Sequence, residues 1–150
     1  MALWSIKANK GAGNVQSVAL VVAAAASMRR ARVYDWKLGC NATPGDNSFL
    51  HIAQRCTTAG TGAALTPNSL DPGDTLPSTI VCKDTVTVDP TLTASAFLDA
   101  IPLNQRATFR WVAPPGGELV IPATASNGIM FGLSAATTTS FDYGIQFREE

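Results

Sequence analysis

The residues able to do acid–base or nucleophilic chemistry are few and scattered. The chain holds one histidine, His51, and three cysteines, Cys40, Cys56 and Cys82. Histidine is the side chain whose ordinary pKa lies nearest neutrality. A catalytic role would require a nucleophile within hydrogen-bond reach and an acid to orient the imidazole. Cys56 is the nearest cysteine in sequence, but five residues along one strand put the two side chains on opposite sides. No CxxC and no Cys/His pairing at zinc spacing occurs. An odd, low cysteine count implies no disulfide framework. The three thiols read as small hydrophobes in a reduced compartment.

Three further clusters have a chemical reading beside a plainer one. Asp71-Pro72-Gly73-Asp74 offers oxygens to calcium but lacks the repeated acidic spacing of a calcium loop. It reads as a turn: Asp opens it, Pro presets φ and Gly permits positive φ. Lys10-Gly11-Ala12-Gly13-Asn14 is half of a nucleotide-binding loop, without the third glycine. Arg29-Arg30-Ala31-Arg32 is the one run of like charge, too small for a nucleic-acid footprint. It reads as a turn between strands, with an intersubunit salt bridge as the alternative. No catalytic, cofactor-binding or metal-ligating residue is therefore assigned, and the chain is not expected to be an enzyme.

The elements around these residues must be built from 150 residues, 46 % hydrophobic and only 15 % charged. Globular domains average about 25 % charge. Eleven basic residues balance eleven acidic ones. That balance excludes a polyelectrolyte that holds nucleic acid, and the hydrophobicity excludes disorder. A domain of this length buries roughly 68–70 % of its unfolded surface, enough to fold without metal or disulfide. Few charges and no net charge leave it open to association.

Period-two alternation dominates the chain. Residues 31–40 set Val33, Asp35 and Lys37 against Tyr34, Trp36, Leu38 and Cys40. Residues 49–56 set Leu50 and Ile52 against His51 and Arg55. Residues 79–88 set Ile80, Cys82, Val86 and Val88 against Lys83, Thr85 and Thr87. Residues 107–113 put Phe109 and Trp111 on one face. The last run sets Phe141, Tyr143, Ile145 and Phe147 against Asp142, Gly144, Gln146 and Arg148. Residues 92–103 fit a strand or a helix face, with the strand favoured. Proline- and glycine-containing turns separate these runs, at 43–47, 66–68, 71–74, 89–90 and 114–117. Residues 18–28 (VALVVAAAASM) are too short to span a membrane. They imitate a signal peptide, but the arginines that follow oppose export, so a buried strand is expected. The fold class predicted is all-β: a single-domain antiparallel β-sandwich, jelly-roll-like, over residues 15–150. Residues 1–14, loosened by Gly11 and Gly13, read as an extended N-terminal arm. Its Trp4 and Ile6 would dock on a neighbour or on the domain's own sheet.

Residues 31–47 (ARVYDWKLGCNATPGDN), residues 101–129 (IPLNQRATFRWVAPPGGELVIPATASNGI) and the closing FREE resemble a group of small tailed-bacteriophage structural proteins. Residues 103–118 mark the resemblance best. It implies an all-β virion protein without cofactor, a capsid cement or decoration protein on the outer capsid surface, made in the host cytoplasm. Its partners would be the major capsid protein and itself, as a homotrimer, with no nucleic acid and no membrane. The alternatives are a phage tail, neck or fibre-base protein and a carbohydrate-binding β-sandwich. The latter usually exposes aromatics, whereas Trp36, Trp111, Phe109, Tyr143 and Phe147 read as core. A hydrolase lacks any motif.

Overall fold

A computed structural model describes residues 2–10, 13–26, 29–40, 43–74 and 77–150. Among the described residues there are twelve strands and no helix. They form two six-stranded antiparallel sheets. One sheet, here sheet A, contains β1 (Leu3–Asn9), β3 (Ala31–Gly39), β6 (Asn68–Ser69), β9 (Phe109–Val112), β10 (Leu119–Ile121) and β12 (Asp142–Glu149). Sheet B contains β2 (Val15–Ala23), β4 (Ser48–Cys56), β5 (Thr61–Leu65), β7 (Ile80–Val88), β8 (Leu92–Asn104) and β11 (Gly128–Thr137). Sheet A runs β10–β3–β12–β1–β6, with β9 also on β3, and sheet B runs β5–β7–β2–β11–β4–β8. Without β5, β6 and β7, the two sheets read β1–β12–β3–β9/β10 and β2–β11–β4–β8. That is the strand order of a jelly roll. The β5–β7 excursion extends both sheets at one side.

The expected arm is a correction. Leu3–Asn9 is β1, an inner strand of sheet A that pairs along its length with β12 and partly with β6. Trp4, Ile6 and Ala8 point into the inter-sheet core and are buried. The sequence division at residue 14 therefore cuts through the sandwich. Apolar side chains at alternate positions, opposite Tyr143, Ile145 and Phe147 of β12, outweigh the looseness of the glycines that follow.

The core between the sheets is aromatic at its centre. Trp36 stacks on Tyr143, with ring centroids 5.9 Å apart, and meets Phe131 from the opposite sheet at 5.5 Å. Phe141, Tyr143, Ile145 and Phe147 are all buried, as their alternation predicts. In β3 the alternation changes phase. Val33 faces inward, yet so do Trp36 and Leu38. The register shift opposite Gln146 and Phe147 leaves Tyr34 without a Cα partner on β12, a bulge that moves every later side chain to the other face. The bulge also splits the far edge of β3 between two strands. Residues 31–33 pair with β10 and residues 35–38 with β9. Between β9 and β10, Pro114 to Gly117 closes a turn through Gly117 N–H to Pro114 C=O, and Gly116 at φ +80° is the position that demands glycine.

Residues 18–28 do not remain in strand to their end. β2 stops at Ala23, and Ser27 and Met28 lie outside the described residues. β2 is buried on both faces. Val18, Ala19 and Val21 belong to the inter-sheet core, and Leu20 and Val22 to a second apolar cluster with Ile52, Cys56, Val86 and Met130. Val86 belongs to this second cluster because β7 turns at Thr85 (φ 44°) and breaks its alternation, while Val88 at the end of the strand is exposed.

β1 as an inner strand has a measurable consequence. Ile6→Ala should cost about 2–5 kcal/mol, the usual range for a buried isoleucine truncated to alanine, because Ile6 is 3 % exposed. Ser5→Ala, on the other face of the same strand, should change stability by less than ~0.5 kcal/mol. Denaturant unfolding of both variants checks this. Equal, small effects would return residues 3–9 to the status of an arm.

Candidate functional site

His51 lies in the core, 1 % exposed, between Phe141 and Tyr143. The Tyr143 hydroxyl donates to Gly132 C=O at 3.1 Å and lies 2.6 Å from His51 Nδ1. A hydroxyl has one proton, so His51 Nδ1–H donates to Tyr143 Oη. Burial lowers the His51 pKa to about 4 and raises that of Tyr143 well above the phenolic range. The imidazole is thus neutral, dry and committed to a tyrosine. Cys56 faces the second apolar cluster, away from His51, and burial pushes its thiol up to about 11. Cys82 is raised further, first by burial and then by the charge of Glu149. Cys40 is half-buried, and its thiol donates to Ser140 C=O at 3.5 Å.

The other sequence clusters are likewise turned to local structure. Asp71 accepts from Gly73 N–H at 2.8 Å, and its own carbonyl accepts from Asp74 N–H at 3.0 Å, so the expected turn is present. Lys10 is fully buried, and its ammonium donates to the carbonyls of Gly13 and Thr137. Burial lowers its pKa and the charge of Asp89 opposes that shift. The half-loop from Lys10 to Asn14 leads into strand β2 rather than a helix, and Gly11 and Ala12 lie outside the described residues. Arg32 donates to Glu150 at 2.7 Å, within the chain.

Two carboxylates missed in the sequence brace β7 at both ends. Glu149, at the end of β12, accepts from Ser78 Oγ, Thr79 N–H and Thr79 Oγ1. Asp89, just after β7, accepts from Gln16 N–H, Ser17 N–H and Ser17 Oγ. Nothing in a local window marks them, because their partners are about 70 residues away.

The surface feature with the most chemical content is a trough on the outer face of sheet A, with a volume of about 630 Å³. Strand register builds it. Lys7, Gly144, Lys37 and Arg110 form one row across β1, β12, β3 and β9, and Ser5, Gln146 and Asp35 form the next. Arg110 donates to the Asp35 carboxylate through both Nε and Nη2, which raises the guanidinium pKa. Lys7 pairs with Asp142 at 3.5 Å. The aromatics that a sugar platform would expose are interior instead. Trp36, Tyr143 and Phe147 are buried, and Phe109 and Trp111 pack half-buried against the core. No known protein-family model, curated protein or solved structure matches the chain.

Two measurements follow from these environments. The unfolded chain binds a proton at residue 51 near pH 6.5, whereas the folded protein resists it down to about 4. Stability should therefore be insensitive to this group above pH 6.5 and fall as pH drops from 6.5 towards 4. At ~1.4 kcal/mol per pKa unit the loss by pH 4 is on the order of 3 kcal/mol. Urea unfolding across this window should show a shallower profile for His51→Gln than for the wild type. Parallel profiles would place the acid sensitivity elsewhere. For the thiols, Ellman's reagent at pH 8 should react with Cys40 alone in the native protein, and with all three cysteines after denaturation. Rapid native labelling of Cys56 or Cys82 would contradict their burial.

Proposed function

We propose that this chain is a structural virion protein, a capsid cement or decoration protein that bridges neighbouring capsomers of the major capsid protein. The observation that carries the reading is β8, the outermost strand of sheet B. It is 13 residues long, pairs with β4 on one side, and lies at the end of the sheet's strand order. Phe97 on it is 52 % exposed, and Leu50 beside it, opposite Pro102, is 38 % exposed. A long outer strand that carries an exposed ring is a surface that another chain can complete. Elsewhere several charged groups are turned to internal bonds, and the potentially reactive His51, Cys56 and Cys82 are buried. The resemblance of residues 103–118 to phage structural proteins and the jelly-roll order, which recurs among viral capsid domains, support the same reading.

The mechanism is one of linkage. A protein that binds the assembled shell but not the free subunits stabilises the shell by mass action. Copies joined as a trimer at three-fold or quasi-three-fold positions bind multivalently, so modest contacts hold tightly. The β7 braces and the double-faced burial of β2 supply the rigidity that such a staple needs.

Light scattering of the purified protein should give a trimer. Phe97→Ser should leave the melting temperature nearly unchanged, because the ring is exposed. It should lower retention on shells assembled from the major capsid protein by about tenfold, the effect of losing a buried aromatic contact. Undiminished retention would remove β8 as the contact. Imaging of the virion that finds the protein on the tail would replace the capsid assignment altogether.

A further inference from the structure

β8 ends sheet B, and an outermost strand normally offers a row of backbone donors and acceptors on which another strand can pair. On β8 that row is interrupted. In an antiparallel pair, positions that exchange two backbone bonds with the neighbour alternate with positions whose N–H and C=O point the other way. Pro102 has no N–H, so its pair with Leu50 is of the second kind. By parity the Ala100–Ile52 and Asn104–Ser48 pairs are of that kind too. The backbone groups of residues 100, 102 and 104 therefore face the free edge. Each is disabled in its own way. Pro102 brings no donor. Ala100 N–H donates to Asp99 Oδ1 at 2.9 Å. Asn104 C=O accepts from Ala107 N–H at 2.9 Å.

Towards its start the strand loses regularity as well. Leu98 has no Cα partner on β4, and residues 93–96 stand against Arg55 alone, between the Gln54–Phe97 and Cys56–Leu92 pairs. Ser95 has φ 57°, in the left-handed region. Bulges of this kind bend an edge away from the flat template that an added strand needs. Asp99 makes its contact at a cost, since its Oδ2 is buried without a hydrogen bond among the described residues. The bond it makes does nothing for the β4 ladder, because Ala100 N–H points away from β4. We propose that β8 carries a built-in block against strand addition, in which Pro102 removes one edge donor and Asp99 occupies the next. A chain with few charges and no net charge has little repulsion to keep copies apart, so an open edge would be a hazard. The block does not depend on the capsid reading. For the contact proposed above, it assigns the work to side chains such as Phe97 and not to the backbone edge.

The test compares the full-length wild type with Asp99→Ala/Pro102→Ala, which returns both donors to the edge without adding a bulky apolar group. Circular dichroism checks that the double variant is folded. In sedimentation velocity over a concentration series, it should form species heavier than the wild-type assembly. It should do so at concentrations at least about tenfold below any at which the wild type does, the scale of one or two restored hydrogen bonds. Amide hydrogen exchange should show positions 100 and 102 protected in those species. Aggregation driven by unfolding would leave both exchanging freely. Should the double variant fail to fold, Pro102→Ala alone is read in the same way, with a smaller shift in the same direction. A folded variant that sediments like the wild type would overturn the block. So would association that leaves the amides at 100 and 102 unprotected, since the added contact would then lie elsewhere.

Discussion

The Tyr143 hydroxyl joins the two sheets from inside the core. It stands on β12 of sheet A, accepts from His51 on β4 and donates to Gly132 on β11. Apolar contacts between sheets are non-directional and would tolerate sliding. A buried hydroxyl, imidazole and carbonyl would not, since each costs free energy if left without its partner. This node therefore sets where β12 lies against sheet B. Through β12 it sets the neighbours on either side, β1 and β3, and with them the Trp36 stack within the core. The same strand turns Gly144 outward one residue later, so the floor of the trough is positioned by the hydrogen bonds beneath it.

Charge is handled with similar economy. The chain has few ionic groups for its length, and many are tied internally. Glu149 and Asp89 replace missing backbone partners at the ends of β7, and Arg148 reaches Glu118 at 3.0 Å. Lys10 caps carbonyls in the interior. What remains outside is a weakly charged surface with isolated features: the outer strand β8 with its exposed ring and the trough of sheet A. A surface of that kind suits contacts made by shape and pairing rather than long-range attraction.

Much of the sandwich is legible in the sequence, and the exceptions have physical causes. β12 shows its two faces without ambiguity because it is regular and half-buried. β3 does not, because one bulged residue at Tyr34 reverses the parity of everything after it. β1 reads as an arm because its stabilising partner is β12, almost the whole chain away, and local composition shows only the nearby lysines and glycines. The absence of a motif around His51 and Cys56 is visible in sequence, and the structure accounts for both residues as core. The trough is not visible there. Lys7, Lys37, Arg110 and Gly144 are distant along the chain, and only the strand registers bring them into a row.

The pairing of β1 with β12 also sets a clock on how the protein is made. During synthesis the first strand emerges early, yet its principal neighbour begins at Asp142. At ribosomal rates of about 5–20 residues per second, β1 waits on the order of 7–30 s for that neighbour. Throughout that interval Trp4 and Ile6 have no sheet to enter, and closing so long a loop is slow in itself. Sheet A can close only after β12 has left the ribosome. The nascent protein is therefore an open sheet edge first and a jelly roll last, and its yield in the cell depends on what shields β1 in the meantime.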